Sequence, residues 1–266
     1  MNPDLSQWLD AILRWVHVFA GIMWVGTTYF FTWLDGRFTE LENKNPGEPV
    51  WMVHSGGFYR VEKQKSPQPL PQHLHWFRWE AALTWLTGIF LFVVVYYMGG
   101  LMINIEESRI SLSTAIWVSV GLLISGWLIY DLVLGKLFKN EIVGATISFV
   151  LITILSWFLV RYFSGRAAFL QLGAMFGTIM FLNVWMRILP AQRRMVAALM
   201  EGKAPDAAEA KRAKNASKQN TFMAVPVVFI MVSNHFPMAY GHHYNWMILS
   251  TLVLVGWFAA KLIRRA

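Results

Sequence analysis

Histidine moves protons near neutral pH and ligates metals, so the seven histidines are weighed first. His17 lies in a long apolar run, with Ala20, Gly21 and Trp24 at +3, +4 and +7. Small residues on the next helical turn leave room for a flat macrocycle, and neutral imidazole is the usual axial ligand of a b-type haem. His235 closes another apolar run. The two are candidate ligands to one haem iron. The plainer alternative is that a histidine in such a run hydrogen-bonds a neighbouring helix. His242 and His243 fall in a short turn and are expected to face water. A second set gathers at the opposite ends of the apolar runs. It comprises His73, His75, Arg78, Glu80, Asp131, Asn183 and Arg187, with Asp35 and Arg37 beside them. Arg78 and Arg187 offer fork-shaped donors, Asn183 an amide edge and Asp131 an acceptor, a set suited to a small planar polar anion. Glu80 or His75 is placed to take a proton if that anion is oxidised. The competing expectation is ordinary ion pairing, Glu80 with Arg78 or Arg187 and Asp131 with Lys136.

These residues need elements that hold them in an apolar medium. Of the 266 residues, 56% are hydrophobic and 14% charged, against about one-quarter charged in soluble domains. A bilayer core of about 30 Å takes about 20 apolar residues as helix. Seven stretches qualify: 15–34, 79–101, 115–134, 142–162, 167–189, 221–236 and 244–263. The sixth is short and contains Pro226. The expected fold is therefore an all-α, polytopic transmembrane bundle, one integral-membrane domain over 1–266. Excursions fall at about 35–78 and 190–220; the latter follows Pro190 and is expected to be helical, broken at Gly202 and Pro205, with 206–218 Ala-rich and charged as suits a solvated helix. The N-terminus lacks a basic leader, so the first stretch reads as a retained span. Of 23 Lys and Arg, 19 fall in alternate connections and at the C-terminus; only Arg14, Arg109, Arg161 and Arg166 fall on the other side. The positive-inside rule then orients the chain N-out and C-in. Tryptophans near span ends fit an aromatic belt, and Gly173 with Gly177 forms a small-xxx-small pair suited to close helix packing. There is no cysteine, which excludes disulfides, thiolate metal sites and a covalently attached haem c within these residues. The bilayer is the expected large partner, and no nucleic acid is.

Residues 14–26 (RWVHVFAGIMWVG), 54–59 (HSGGFY), 75–80 (HWFRWE), 183–190 (NVWMRILP), Pro226 and 233–237 (SNHFP) together make a more specific pattern. This ordered set resembles the membrane-bound, cytochrome c-linked urate oxidase (urate hydroxylase) family, across nearly the whole chain. The resemblance implies a bacterial inner-membrane protein that oxidises urate to 5-hydroxyisourate and passes electrons to cytochrome c. Typical members carry an eighth span and a fused cytochrome c domain. Here the expectation is seven spans and a separate cytochrome c, or other respiratory-chain subunits, as partner. Arg78, Asn183, Arg187 and Asp131 are then the expected urate-binding residues, Glu80 and His75 the proton-transfer candidates, and His17 and His235 the ligands of a possible haem b. The alternative reading is a haem-binding or structural accessory subunit of a respiratory complex without urate activity. A transporter is disfavoured by the lack of an inverted repeat.

Overall fold

The computed structural model describes residues 3–134 and 140–264; Lys136, Lys139 and Arg265, which entered the charge pattern, lie outside the described residues. The first helix, α1 (Pro3–Lys44), runs well past its apolar centre at both ends. Ion pairs one turn apart support those ends, Arg14 with Asp10 and Arg37 with Glu40. The connection that follows is not structureless. Strands β1 (Val50–His54) and β2 (Gly57–Val61) pair antiparallel, with Val50 opposite Val61 and His54 opposite Gly57. Ser55 and Gly56 both have positive φ, the geometry of a tight hairpin turn that matches strand twist. The other regular elements among the described residues are helices.

Then come α2 (Trp79–Leu91), α3 (Leu112–Ile129), α4 (Glu141–Tyr162), α5 (Gly165–Leu182), α6 (Leu189–Met200), α7 (Ala207–Ser233), a single turn α8 (Pro237–Tyr240) and α9 (Asn245–Ile263). Side-chain caps start four of them, satisfying backbone N–H groups that have no intrahelical partner. Ser111 accepts from Thr114 N, Asn140 from Ile142 N, Ser164 from Ala167 N and Asp206 from Ala208 N. Where α6 passes α7, Arg194 forms a fork on Glu209 at 3.0 and 2.8 Å. That hydrogen bond holds the Glu209 carboxyl below its ordinary range.

Six segments are long and apolar enough to cross a membrane: Asp4–Lys44, Trp79–Met98, Leu112–Leu132, Glu141–Tyr162, Gly165–Met200 and Asn245–Ile263. The stretch 221–236 is not among them. It forms the second half of α7, which stops at Ser233, and the amides Gln219 and Asn220 and a charged first half dilute its hydropathy. The connection after the fifth stretch is helical, as expected, and helix runs through Pro190 itself. It continues to Met200, because Asn183–Ile188 just before the proline is π-helical and relieves the i−4 bond that proline cannot make.

The bundle is built around α5. In its apolar window 72% of residues are buried, against 28% or less in the other five. Helices α2, α3, α4 and α7 surround it, α1 lies on α2, and α9 closes against α4 and α7. The outer faces are apolar, with Trp117 75% and Phe258 63% exposed. Soluble monomers rarely expose apolar surface on that scale.

Small residues set the closest approaches. A Cβ at Gly256 would sit 2.8 Å from Cδ and 3.0 Å from N of Pro226, so α9 carries a glycine where the proline ring of α7 leans on it. Gly173 packs on Ile230 in the same way, whereas Gly177 meets nothing within 4 Å. Only half of the small-residue pair is therefore an interface. Gly256→Ala is expected to cost about 1–3 kcal/mol, because the obstructing atoms belong to a rigid ring and backbone. Gly126→Ala should cost less, since only the flexible Met175 methyl stands in its way. Thermal unfolding in detergent measures both; equal midpoints would contradict this packing.

Candidate functional site

Three helices leave regular α geometry at one stretch each, Phe92–Met98 after α2, Tyr130–Leu134 after α3 and Asn183–Ile188 after α5, all π-helical. A π turn inserts a residue and re-aims the side chains around it, and such turns are frequent at functional sites. Two of the three meet. Tyr130 and Asp131 come from one, Asn183 and Arg187 from the other, and α7 adds Gln219 and Asn220 where it passes them.

The resulting network is closely bonded. Asn183 Nδ2 donates to the Tyr130 hydroxyl at 2.8 Å and to Asn220 Oδ1 at 2.9 Å. Asn220 Nδ2 donates to the Met180 carbonyl at 3.0 Å, and the Tyr130 hydroxyl donates to Gln219 Oε1. Arg187 Nε donates to Asp131 Oδ1 at 3.0 Å, and Nη2 donates to the same oxygen. The guanidinium lies over the rings of Tyr130 and Trp127, at 4.9 and 5.4 Å. Asn183 is fully buried, yet its Oδ1 has no hydrogen-bond partner among the described residues. An unmatched buried acceptor costs about 1–3 kcal/mol, and it marks a place where a ligand donor would be welcome.

The sequence reading placed Asp131, Asn183 and Arg187 together, and they meet. Among the described residues Asp131 pairs with Arg187; Lys136, the other expected partner, lies outside the described residues. The sequence reading missed Tyr130, Gln219 and Asn220. The signal was available as a polar pair, Gln219-Asn220, bordering an apolar run, where each polar group needs a reason to be.

His75, Arg78 and Glu80 stand outside these bonds. His75 is exposed, edge-on to Phe77 at 4.5 Å. Arg78 lies over the Trp79 ring at 5.2 Å. Glu80 is half-buried and its carboxylate makes no ion pair among the described residues. They share an end of the bundle with the network, since Trp79 meets Trp185 at 6.1 Å and Trp185 lies between Asn183 and Arg187. Asp35 pairs with Lys63.

The two haem-ligand candidates differ. His17 packs on α2, with Nδ1 2.9 Å from the Thr84 carbonyl and 3.2 Å from Thr87 Oγ1. A carbonyl only accepts, so Nδ1 carries the proton and the Nε2 lone pair is left over. That is the tautomer of an axial ligand held by a backbone carbonyl. Gly88 makes the approach possible, because a Cβ there would lie 2.8 Å from the imidazole Cε1. His235 is an exposed turn residue whose backbone N–H bonds the Val232 carbonyl. No hydrogen bond or ring contact joins it to His17 among the described residues. Of the two candidates among the described residues, His17 alone has its ring held by a backbone carbonyl, which leaves Nε2 as a lone-pair donor.

Breaking the Arg187–Asp131 pair from one side is expected to cost more than removing both partners, because a lone charge remains among apolar neighbours. Thermal unfolding should show Asp131→Ala losing about 1–3 kcal/mol, with Asp131→Ala/Arg187→Met recovering part of it. Strict additivity of the single changes would mean that the pair is not coupled.

No curated protein and no solved structure matches the chain. Residues 3–265 match the family described as urate oxidase N-terminal. The match spans the helices that build the bundle and every residue of the network, and on that coverage the chain belongs to the urate oxidase N-terminal family.

Proposed function

We propose that this chain is a multi-pass protein of the bacterial inner membrane that oxidises urate to 5-hydroxyisourate. The family match supports the substrate. The observation that carries the site is the unmatched Asn183 Oδ1, whose amide bonds the Tyr130 hydroxyl under the Arg187 guanidinium. Urate is a flat anion with ring N–H donors and carbonyl acceptors. Asn183 Oδ1 accepts one of its N–H groups, and Arg187 donates to a carbonyl through N–H groups not spent on Asp131. Arg78 adds positive charge at the same end of the bundle. Asn183 is fully buried, so neighbouring side chains must move to admit the substrate.

The reaction removes two electrons and two protons from urate and water together, and the water oxygen ends on the urate ring. Asp131 is the carboxylate nearest the donor and acceptor set, and Glu80 and His75 are the further proton acceptors at that end. Electrons leave to the respiratory chain, for which the resemblance names a cytochrome c. The charge pattern supports seven crossings, N-out and C-in, with the second half of α7 as the additional one. A b-type haem would be held at His17 through Nε2 and would supply a one-electron couple; His235 as its second ligand rests on the sequence alone.

Protein purified in nanodiscs should consume urate with ferricyanide or oxidised cytochrome c as acceptor. Asn183→Ala is expected to lower kcat/KM by about 10- to 100-fold, the loss of a buried hydrogen bond worth about 1–3 kcal/mol. Urate left unconsumed with both acceptors would remove the urate reading. The absorption spectrum of the reduced protein tests the haem separately: a b-type band that disappears in His17→Ala is expected, and a colourless protein removes the haem while leaving the urate assay to stand.

A further inference from the structure

Between α2, α3 and α5 lies a cleft of about 430 Å³, walled by the rings of Trp85, Phe92, Tyr97 and Trp127, by Ile124 and by the Thr178 hydroxyl. That volume is in the range of sites for small organic ligands. Phe92 and Tyr97 come from the third π-helical stretch, the one the polar network does not use. Ile124 is 59% exposed at the cleft, on a helix apolar enough to face lipid.

The hydrogen bonds decide what the cleft offers. Ser119 donates its single proton to Gln171 Oε1 at 2.6 Å, so the Tyr97 hydroxyl, 2.6 Å from Ser119 Oγ, must spend its own proton on Ser119. Thr178 Oγ1 accepts from Trp85 Nε1 at 3.0 Å, and its proton has no acceptor among the described hydrogen bonds. The cleft therefore presents aromatic faces, no charge and one free hydroxyl donor. It also touches the polar network through one residue. Trp127 forms part of its wall and lies under Arg187 at 5.4 Å and beside Tyr130 at 5.7 Å.

We propose that this cleft seats a lipophilic quinone, which takes the electrons of substrate oxidation inside the bilayer; this rests on the urate reading above. A quinone ring is flat, uncharged and apolar on both faces, and it carries carbonyl oxygens, one of which accepts the Thr178 proton. Its isoprenoid tail leaves past Ile124 into lipid. An acyl chain matches the walls but has no use for the hydroxyl and cannot take electrons. The balance closes as urate, water and quinone giving 5-hydroxyisourate and quinol. The quinone gains the two electrons and two protons, and its two carbonyls become hydroxyls. The quinol then leaves laterally for a quinol-oxidising enzyme, so cytochrome c is reached downstream and need not touch this chain.

The test is photolabelling of the protein in nanodiscs with an azidoquinone, followed by peptide mapping. Label is expected on the cleft segments of α2, α3 and α5, competed by decylubiquinone. It should fall about tenfold, a loss of about 1.4 kcal/mol, in Ile124→Trp, which fills the mouth, and in Thr178→Val, which removes the donor. Ile154→Trp on the outer face of α4 should label as the parent does. Label spread over other helices, or displaced equally by oleate, overturns the proposal. Anaerobic turnover separates it from the urate reading. Urate consumed with ferricyanide but never with decylubiquinone overturns the quinone and leaves urate standing; competed labelling without any urate turnover upholds the quinone site and removes urate.

Discussion

The two hydrogen bonds of the Asn183 amide tie three helices together where no water can replace them. Tyr130 belongs to the end of α3, Asn220 to α7, and Asn183 to the end of α5. Leaving a donor unpaired in such surroundings costs more than the bond gains elsewhere, so the contact selects one rotation of each helix about its axis. Because α5 is the helix most enclosed by others, its rotation sets what α2, α3, α4 and α7 can pack against. The stacked pair of Trp85 and Phe181, 4.4 Å apart, and the contact of Gly173 with Ile230 then follow from it.

Irregular backbone stands next to chemistry throughout the bundle. The π turns at Tyr130–Leu134 and Asn183–Ile188 bring donors and acceptors of two helices to one place, and the turn at Phe92–Met98 shapes a wall of the cleft. In an apolar medium backbone groups must be satisfied internally, so such turns persist only where packing over-determines them. Pro226 is tolerated on the same terms, with Gly256 opposite its ring.

Charge is used sparingly, and its placement agrees with the proposed reaction. Arg187 neutralises Asp131 and covers two aromatic rings, so the network is held together by its own groups. Among the described residues the unmatched oxygen of Asn183 is a buried acceptor open to a donor. Trp127 is the boundary residue, with the polar network on one side of its ring and the apolar cleft on the other. A protein that must bring a water-soluble anion and a lipid-soluble acceptor together needs such a boundary, because neither ligand is stable in the other's surroundings.

Composition and periodicity determined that the chain is helical and apolar on the scale of a membrane protein, because the length of an apolar run and the sparsity of charge are local properties. They also singled out Asp131, Asn183 and Arg187, since a polar residue in an apolar run is costly wherever it sits. Other features needed the folded chain. The hairpin at Val50–Val61, the passage of helix through Pro190 and the π turns depend on neighbours that no local pattern encodes. So do the partners of each polar group. Arg78 and Glu80 read as well as Arg187 did, yet only Arg187 reaches Asp131; His17 finds a carbonyl on α2, and His235 stays in an exposed turn. Residue type sets what a side chain can bond, but helix rotation decides which groups come within 3 Å, and rotation is settled by packing of all the helices at once.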